Sequence, residues 1–115
     1  MRNDRENLIV NLTFQFALQI IEFTEELEVV KKYVIAKQII KSGTSIGANV
    51  REAQNAESKN DFIHKLKIAA KEADETEYFL QLCKFAKTYP FDQSLDDKLQ
   101  SIIKVLSKII SSSKS

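Results

Sequence analysis

The apolar residues of this chain recur in steps of three and four along nearly its whole length, and almost nothing interrupts them. Two Gly and one Pro are present in 115 residues, and both Gly fall inside a periodic stretch rather than between two. Steps of three and four return side chains to one face of a helix, whereas the alternation that strands require is missing. The pattern therefore demands helices that each bury a stripe. The visible breaks are Tyr89-Pro90-Phe91-Asp92 and the terminal run Ser111 to Ser115.

Four segments follow. Residues 4–29 place Ile9, Leu12, Phe16, Ile20, Phe23 and Leu27 on one face, with Val30 continuing it. Asn3 with Glu6 has the spacing of a cap with a returning carboxylate. Residues 32–54 carry Ala36, Ile39, Gly43, Ile46, Val50 and Ala53 in strict heptad steps. Residues 58–88 open on Ser58 and Asp61, placed as a capping box, and continue through Phe62, Leu66, Ala69, Ala73, Thr76, Leu80 and Cys83. Residues 94–111 open on Ser94 and Asp97 and continue through Leu95, Leu99, Ile102, Leu106 and Ile109. Asp61 with Lys65, and Lys71 with Glu75, have the i,i+4 spacing of exposed ion pairs. Connections near 30–31, 55–57 and 89–93 then predict an all-α, up-down-up-down antiparallel four-helix bundle, one domain over residues 1–115.

The first helix carries a second stripe, Val10, Phe14, Ala17 and Ile21, well round from the first. A helix apolar on two sides needs two partners. One is its own bundle, and the second stripe is expected to form an oligomer interface with a neighbouring subunit.

Composition narrows the function classes. With 43% hydrophobic residues and a net charge of +1, the chain is neither disordered nor a strongly basic nucleic-acid binder. One Cys and one His exclude disulfide frameworks, clustered metal sites and most His-dependent catalysis, and no cofactor is indicated. The longest apolar run is Tyr33 to Ala36, too short to span a membrane. Arg2, Asp4, Arg5 and Glu6 interrupt the N-terminus where a signal peptide would need an apolar core, so a cytoplasmic location is expected. Charge is uneven between segments: 2 basic and 6 acidic residues up to position 30, then 5 basic and 1 acidic up to position 56.

Several constellations invite a chemical reading. Gly43 and Gly47 form G-x-x-x-G inside the second helix, where each costs ~1 kcal/mol relative to Ala, which points to a close helix approach. A phosphate loop would instead need a strand before the glycines. Gln38, Ser42, Ser45, Asn49 and Glu52 form a polar stripe beside the apolar seam. It reads either as a hydrogen-bonded layer fixing helix register or as a recognition surface. Asp61-Phe62-Ile63-His64 mimics half of a di-iron bundle motif, but a single His cannot supply the other half. Cys83 falls on an apolar seam and reads as a small hydrophobe. Glu72, Asp74, Glu75 and Glu77 point in several directions round one helix and read as a solvated face rather than a cation site. Lys37, Lys41, Lys65, Lys67 and Lys71 are exposed by pattern on adjacent helices and are the candidate RNA contacts, with no aromatics interleaved for base stacking.

The stretches Ser42 to Ala53, Asp61 to Ala69 and Lys71 to Thr76, above all Ser-Ile-x-Ala-Asn-Val-x-Glu at residues 45 to 52, resemble a known family. It is that of the four-helix-bundle proteins encoded in intervening sequences of bacterial 23S ribosomal RNA genes, the S23-type proteins. The resemblance covers almost the whole chain, the first helix matching only in its apolar and aromatic pattern. It implies a small bundle without catalytic activity that assembles as a ring, typically a homopentamer. It also implies a relation to the accessory proteins of diversity-generating retroelements, which work with a reverse transcriptase and RNA. Those are markedly basic, and this chain departs from them in charge. By resemblance Gly43, Ser45, Gly47, Asn49 and Glu52 form the family's packing core. The functional expectation is a ring-forming, non-enzymatic protein that binds RNA or an RNA–protein complex. The alternative is a protein–protein interaction module with no nucleic-acid role.

Overall fold

The computed structural model describes the backbone of residues 4–114 and the side chains of residues 8–114. Four helices account for its elements: α1 Asp4–Val29, α2 Tyr33–Ala53, α3 Lys59–Phe85 and α4 Gln93–Ser113. α1 and α3 each pack on α2 and α4, so the four sit in a square with no diagonal pair among the described residues. The bundle measures 46 × 20 × 19 Å, a rod of helix length and two helix widths. Its four stripes meet along the axis. Phe16, Phe23, Ile39, Leu66, Leu80 and Leu99 are among the fully buried core residues. Thr13 and Thr24 on α1 are buried as well, which their polarity hides from an apolar pattern. Each hydroxyl donates to a carbonyl of its own helix, Ile9 and Ile21 respectively, and so enters the core satisfied.

The helix ends follow local chemistry, with a few departures from the periodic reading. The Asn3–Glu6 cap lies outside the described residues. α1 closes in a Schellman turn, in which the Lys31 N–H donates to the Glu28 carbonyl and the Lys32 N–H to the Leu27 carbonyl. Lys31 takes the left-handed conformation there, φ 67°. Val30 therefore leaves the stripe it was expected to continue and lies exposed in the turn. Ser58 caps α3 as its spacing predicts, accepting from the Asp61 N–H at 3.0 Å. α4 is capped by Asp92, which accepts from the Ser94 N–H at 2.9 Å, so the helix starts one residue before the expected position. It also runs into the serine tail, because Ile109 is still buried there.

α3 stops at Phe85, three residues short of the expected limit, where Ala86 turns extended. Thr88 follows at φ 69°, a β-branched residue in the left-handed region. Such a residue costs roughly 1–2 kcal/mol there and glycine does not. Thr88→Gly is expected to raise the melting temperature by roughly 4 °C in a thermal unfolding scan, about 1 kcal/mol. An unchanged or lower midpoint counts against strain at this turn.

Candidate functional site

Around α2 three surfaces can be built from the residues upward. The first is the α1/α2 seam. A Cβ built on Gly43 meets both γ carbons of Ile20 at 2.9 Å, and one built on Gly47 meets the Thr13 carbonyl oxygen at 3.3 Å. The missing side chains let α1 lie against the α2 backbone. Outside this contact runs the second stripe. Val10 and Ala17 are half-buried, Phe14 is 51% exposed and Ile21 is 43% exposed. These four line a groove in two stretches. One, about 270 Å³, holds Val10, Phe14 and Ala17 against Gly47, Ala48 and Arg51. The other, about 500 Å³, holds Ile21 against Ala36 and Ile40, with Glu25 and Glu28 on its rim.

On the other flank of α2 lies a surface that no sequence motif announced. Tyr78, Leu82 and Phe85 of α3, with Ile35 of α2 and Tyr89 of the following turn, line a hollow of about 540 Å³. Tyr78 is 61% exposed and Phe85 76% exposed. Its rim is basic. Lys32 Nζ stands 4.7 Å from the Tyr89 ring centre, and Lys84 Nζ stands 5.6 Å from those of Phe85 and Phe91. The signal was present in the sequence as exposed-phase aromatics on α3, but an apolar residue just outside a heptad seam also suits a half-buried flank.

The polar stripe on α2 sends one side chain into the bundle and leaves the rest at or near the surface. Ser42 is buried, and its hydroxyl shares a 3.0 Å hydrogen bond with that of Thr76 on α3. Ser45 donates to the Lys41 carbonyl and Asn49 to the Ser45 carbonyl, both within α2. Glu52 reaches Lys65 of α3 at 3.0 Å. Gln38 is exposed. Ser42→Ala removes the one buried cross-helix bond of the stripe while Thr76 keeps the Glu72 carbonyl as acceptor. The expected cost is about 1 kcal/mol by chemical denaturation, and a neutral result would mean that the α2–α3 pair needs no polar contact.

Of the five candidate RNA contacts, the structure keeps some together and separates others. Lys67 and Lys71 are exposed on α3. Lys65 is held by Glu52, whose hydrogen bond and charge raise the lysine pKa, with Asp61 adding a weaker attraction rather than the main pairing its spacing suggested. Lys37 lies on the rim of the acidic stretch of the α1/α2 groove. Lys41 stands near Glu72, whose pKa is raised by burial and by Glu75 and lowered by Lys41 and Lys71.

The family described as 23S rRNA-intervening sequence protein matches residues 5–112. The chain belongs to this family. A crystal structure of a protein of unknown function from the S23 ribosomal protein family of Bacteroides thetaiotaomicron is 42% identical and superposes with a TM-score of 0.88. The similarity covers 93% of this chain and 98% of that one. No match is found among the curated proteins.

For an intervening-sequence protein of this kind, the reactive side chains are placed for packing or for water. Cys83 is buried, and burial pushes its thiol up to about 11, far from a nucleophile's range. His64 is exposed on α3. Among the described residues no three His, Cys, Asp or Glu side chains converge as metal ligands, and no helix is long and apolar enough to cross a membrane.

Proposed function

We propose that this intervening-sequence protein is a non-enzymatic, cytoplasmic bundle that closes into a ring of identical copies and acts by binding structured RNA or an RNA–protein complex. The observation that carries the reading is the exposed groove along α1 and α2, left open although the four core stripes already close on one another. Its lower stretch has an acidic rim, Glu25 and Glu28. The aromatic hollow across α2 lies at the same end of the bundle and has a basic rim, Lys32 and Lys84. Two different apolar faces on one protomer, one with Glu25 and Glu28 beside Lys37 on its rim and one with Lys32 and Lys84, suit a head-to-tail contact, which closes into a ring when the rotation permits. Five copies is the number the family resemblance implies. Binding rather than catalysis is supported by the buried high-pKa Cys83 and the solitary exposed His64.

Light scattering at micromolar concentration tests the assembly. A mass of several protomers is expected, and a monomer overturns the ring. A second reading, a protein–protein module with no nucleic-acid role, is favoured by the aromatic hollow alone, since exposed Tyr and Phe in a pocket are typical interface anchors. Titration with a structured RNA separates the two. Affinity that falls steeply between ~50 and ~200 mM salt supports the RNA reading, and salt-indifferent or absent binding supports the module.

A further inference from the structure

Antiparallel packing brings together carboxylates that the sequence places on different helices. The end that holds the α1–α2 and α3–α4 connections collects Glu22, Glu25, Glu26 and Glu28 of α1 with Asp92, Asp96 and Asp97 around the start of α4. Toward the opposite end, Glu52, Glu57 and Asp61 lie about the α2–α3 connection, but two stretches beyond them carry basic residues alone. Residues 62–71 of α3 and residues 98–115 contain no acidic side chain at all. Within those two windows lie Lys67 and Lys71 on α3 and Lys104 and Lys108 on α4, all four exposed.

The register of the two helices places these lysines at matching heights along the bundle. Gln100 donates to Glu77 across the α3–α4 pair. Counting back along antiparallel helices from that bond brings Lys104 level with the turn that contains Lys71, and Lys108 level with the turn that contains Lys67. Each pair is spaced i,i+4, ~6 Å along its helix. Beside the α4 row, Ser107 and Ser111 are exposed, and with Ile103 they line an open hollow of about 500 Å³ around Lys104 and Lys108.

We propose that this α3/α4 face binds the phosphate backbone of a base-paired nucleic acid, with Lys67, Lys71, Lys104 and Lys108 as the cations and serine hydroxyls as neighbouring donors. The proposal rests on the RNA reading above and locates its contact surface. Two rows of exposed ammonium groups, of which Lys71 is shared with Glu72, match phosphate oxygens with the serine hydroxyls beside the α4 row, since those oxygens accept from Lys and Ser without regard to sequence. The large apolar side chains exposed among the described residues lie on α1, α2, the α1–α2 turn and the C-terminal half of α3, so this face offers no wedge for a lipid surface and no ring for an unpaired base. It also lies away from the grooves flanking α2 and stays open when they are filled. Lys37 and Lys41, on the acid-bearing half, are not part of it.

The test uses the full chain and a fluorescent RNA hairpin of about two helical turns, read by anisotropy. Four phosphate contacts per copy predict a log–log salt slope near −3.6 and an affinity loss on the order of 100-fold between ~50 and ~200 mM salt. The triple change Lys67→Glu, Lys104→Glu, Lys108→Glu is expected to abolish binding at ~50 mM salt, with an unchanged circular dichroism spectrum because all three positions are exposed. Lys37→Glu with Lys41→Glu is expected to leave affinity within about threefold, since neither contacts phosphate in this arrangement. Wild-type affinity in the triple variant overturns the α3/α4 surface while leaving RNA binding intact. No hairpin binding by the unaltered chain overturns the surface and the RNA reading together. Equal retention on anionic phosphatidylserine vesicles that the triple change also removes overturns the nucleic-acid assignment in favour of a membrane.

Discussion

Gly43→Leu is expected to destabilise the bundle by at least about 3 kcal/mol and to lower its melting temperature by more than ~10 °C. The first added atom already lies 2.9 Å from both γ carbons of Ile20, a β-branched side chain buried with no exposed area and no rotamer that withdraws both carbons. Overpacking of a full core forces side chains off rotamer or helices apart. Gly43→Ala should show the same effect reduced, because the ~1 kcal/mol gained in helix propensity offsets part of the clash. Placed in an Ile20→Ala background, Gly43→Ala should become neutral or stabilising, which makes the contact itself visible as a coupling energy. Gly47→Ala is expected to be close to neutral, because the ~1 kcal/mol gained in helix propensity offsets a tight 3.3 Å approach of the new Cβ to the Thr13 carbonyl oxygen. Thermal and denaturant unfolding of these variants decides the matter, and a Gly43→Leu protein as stable as the parent would mean that α1 does not lie where it is described.

Phe14→Glu with Ile21→Glu is expected to prevent the proposed ring from forming and leave monomers, and so is Leu82→Glu with Phe85→Glu. All four residues are exposed in the single bundle, so neither pair should unfold it. Burying an unpaired carboxylate in a contact between copies costs about 3–5 kcal/mol, which weakens association by more than ~100-fold. The mixture is the sharper experiment. Each variant keeps one good face, so a one-to-one mixture should form heterodimers and stop there, as a head-to-tail contact requires. If the contact were instead face-to-itself, each variant alone would either stay assembled or stay monomeric, and mixing would change nothing.

The core was legible because burial and helical period are the same information. Leu95, Leu99, Ile102, Leu106 and Ile109 sit in one stripe in the sequence and are buried in the fold. Helix ends were harder to read. Asp92 and Ser94 are both cap-forming residues two positions apart, and the choice is made by Asp92 accepting from the Ser94 N–H. The Ala86-Lys87-Thr88 stretch carries no helix breaker, so only the return of the chain toward α4 stops α3. The polar stripe showed its face but not its partners: of its members, Ser42 and Glu52 reach α3 while Ser45 and Asn49 turn back on α2. Read helix by helix, the sequence groups Lys37 and Lys41 with Lys67 and Lys71, whereas the proposed surface draws Lys104 and Lys108 from α4. Linear order lists charges along each helix, and only the antiparallel register regroups them.

That regrouping means that a formal charge of +1 describes a molecule whose α1 carboxylates and α4 lysines gather toward opposite ends. Such a body feels little net pull from a distant polyanion but a strong torque near one, and it arrives already turned with its amines leading.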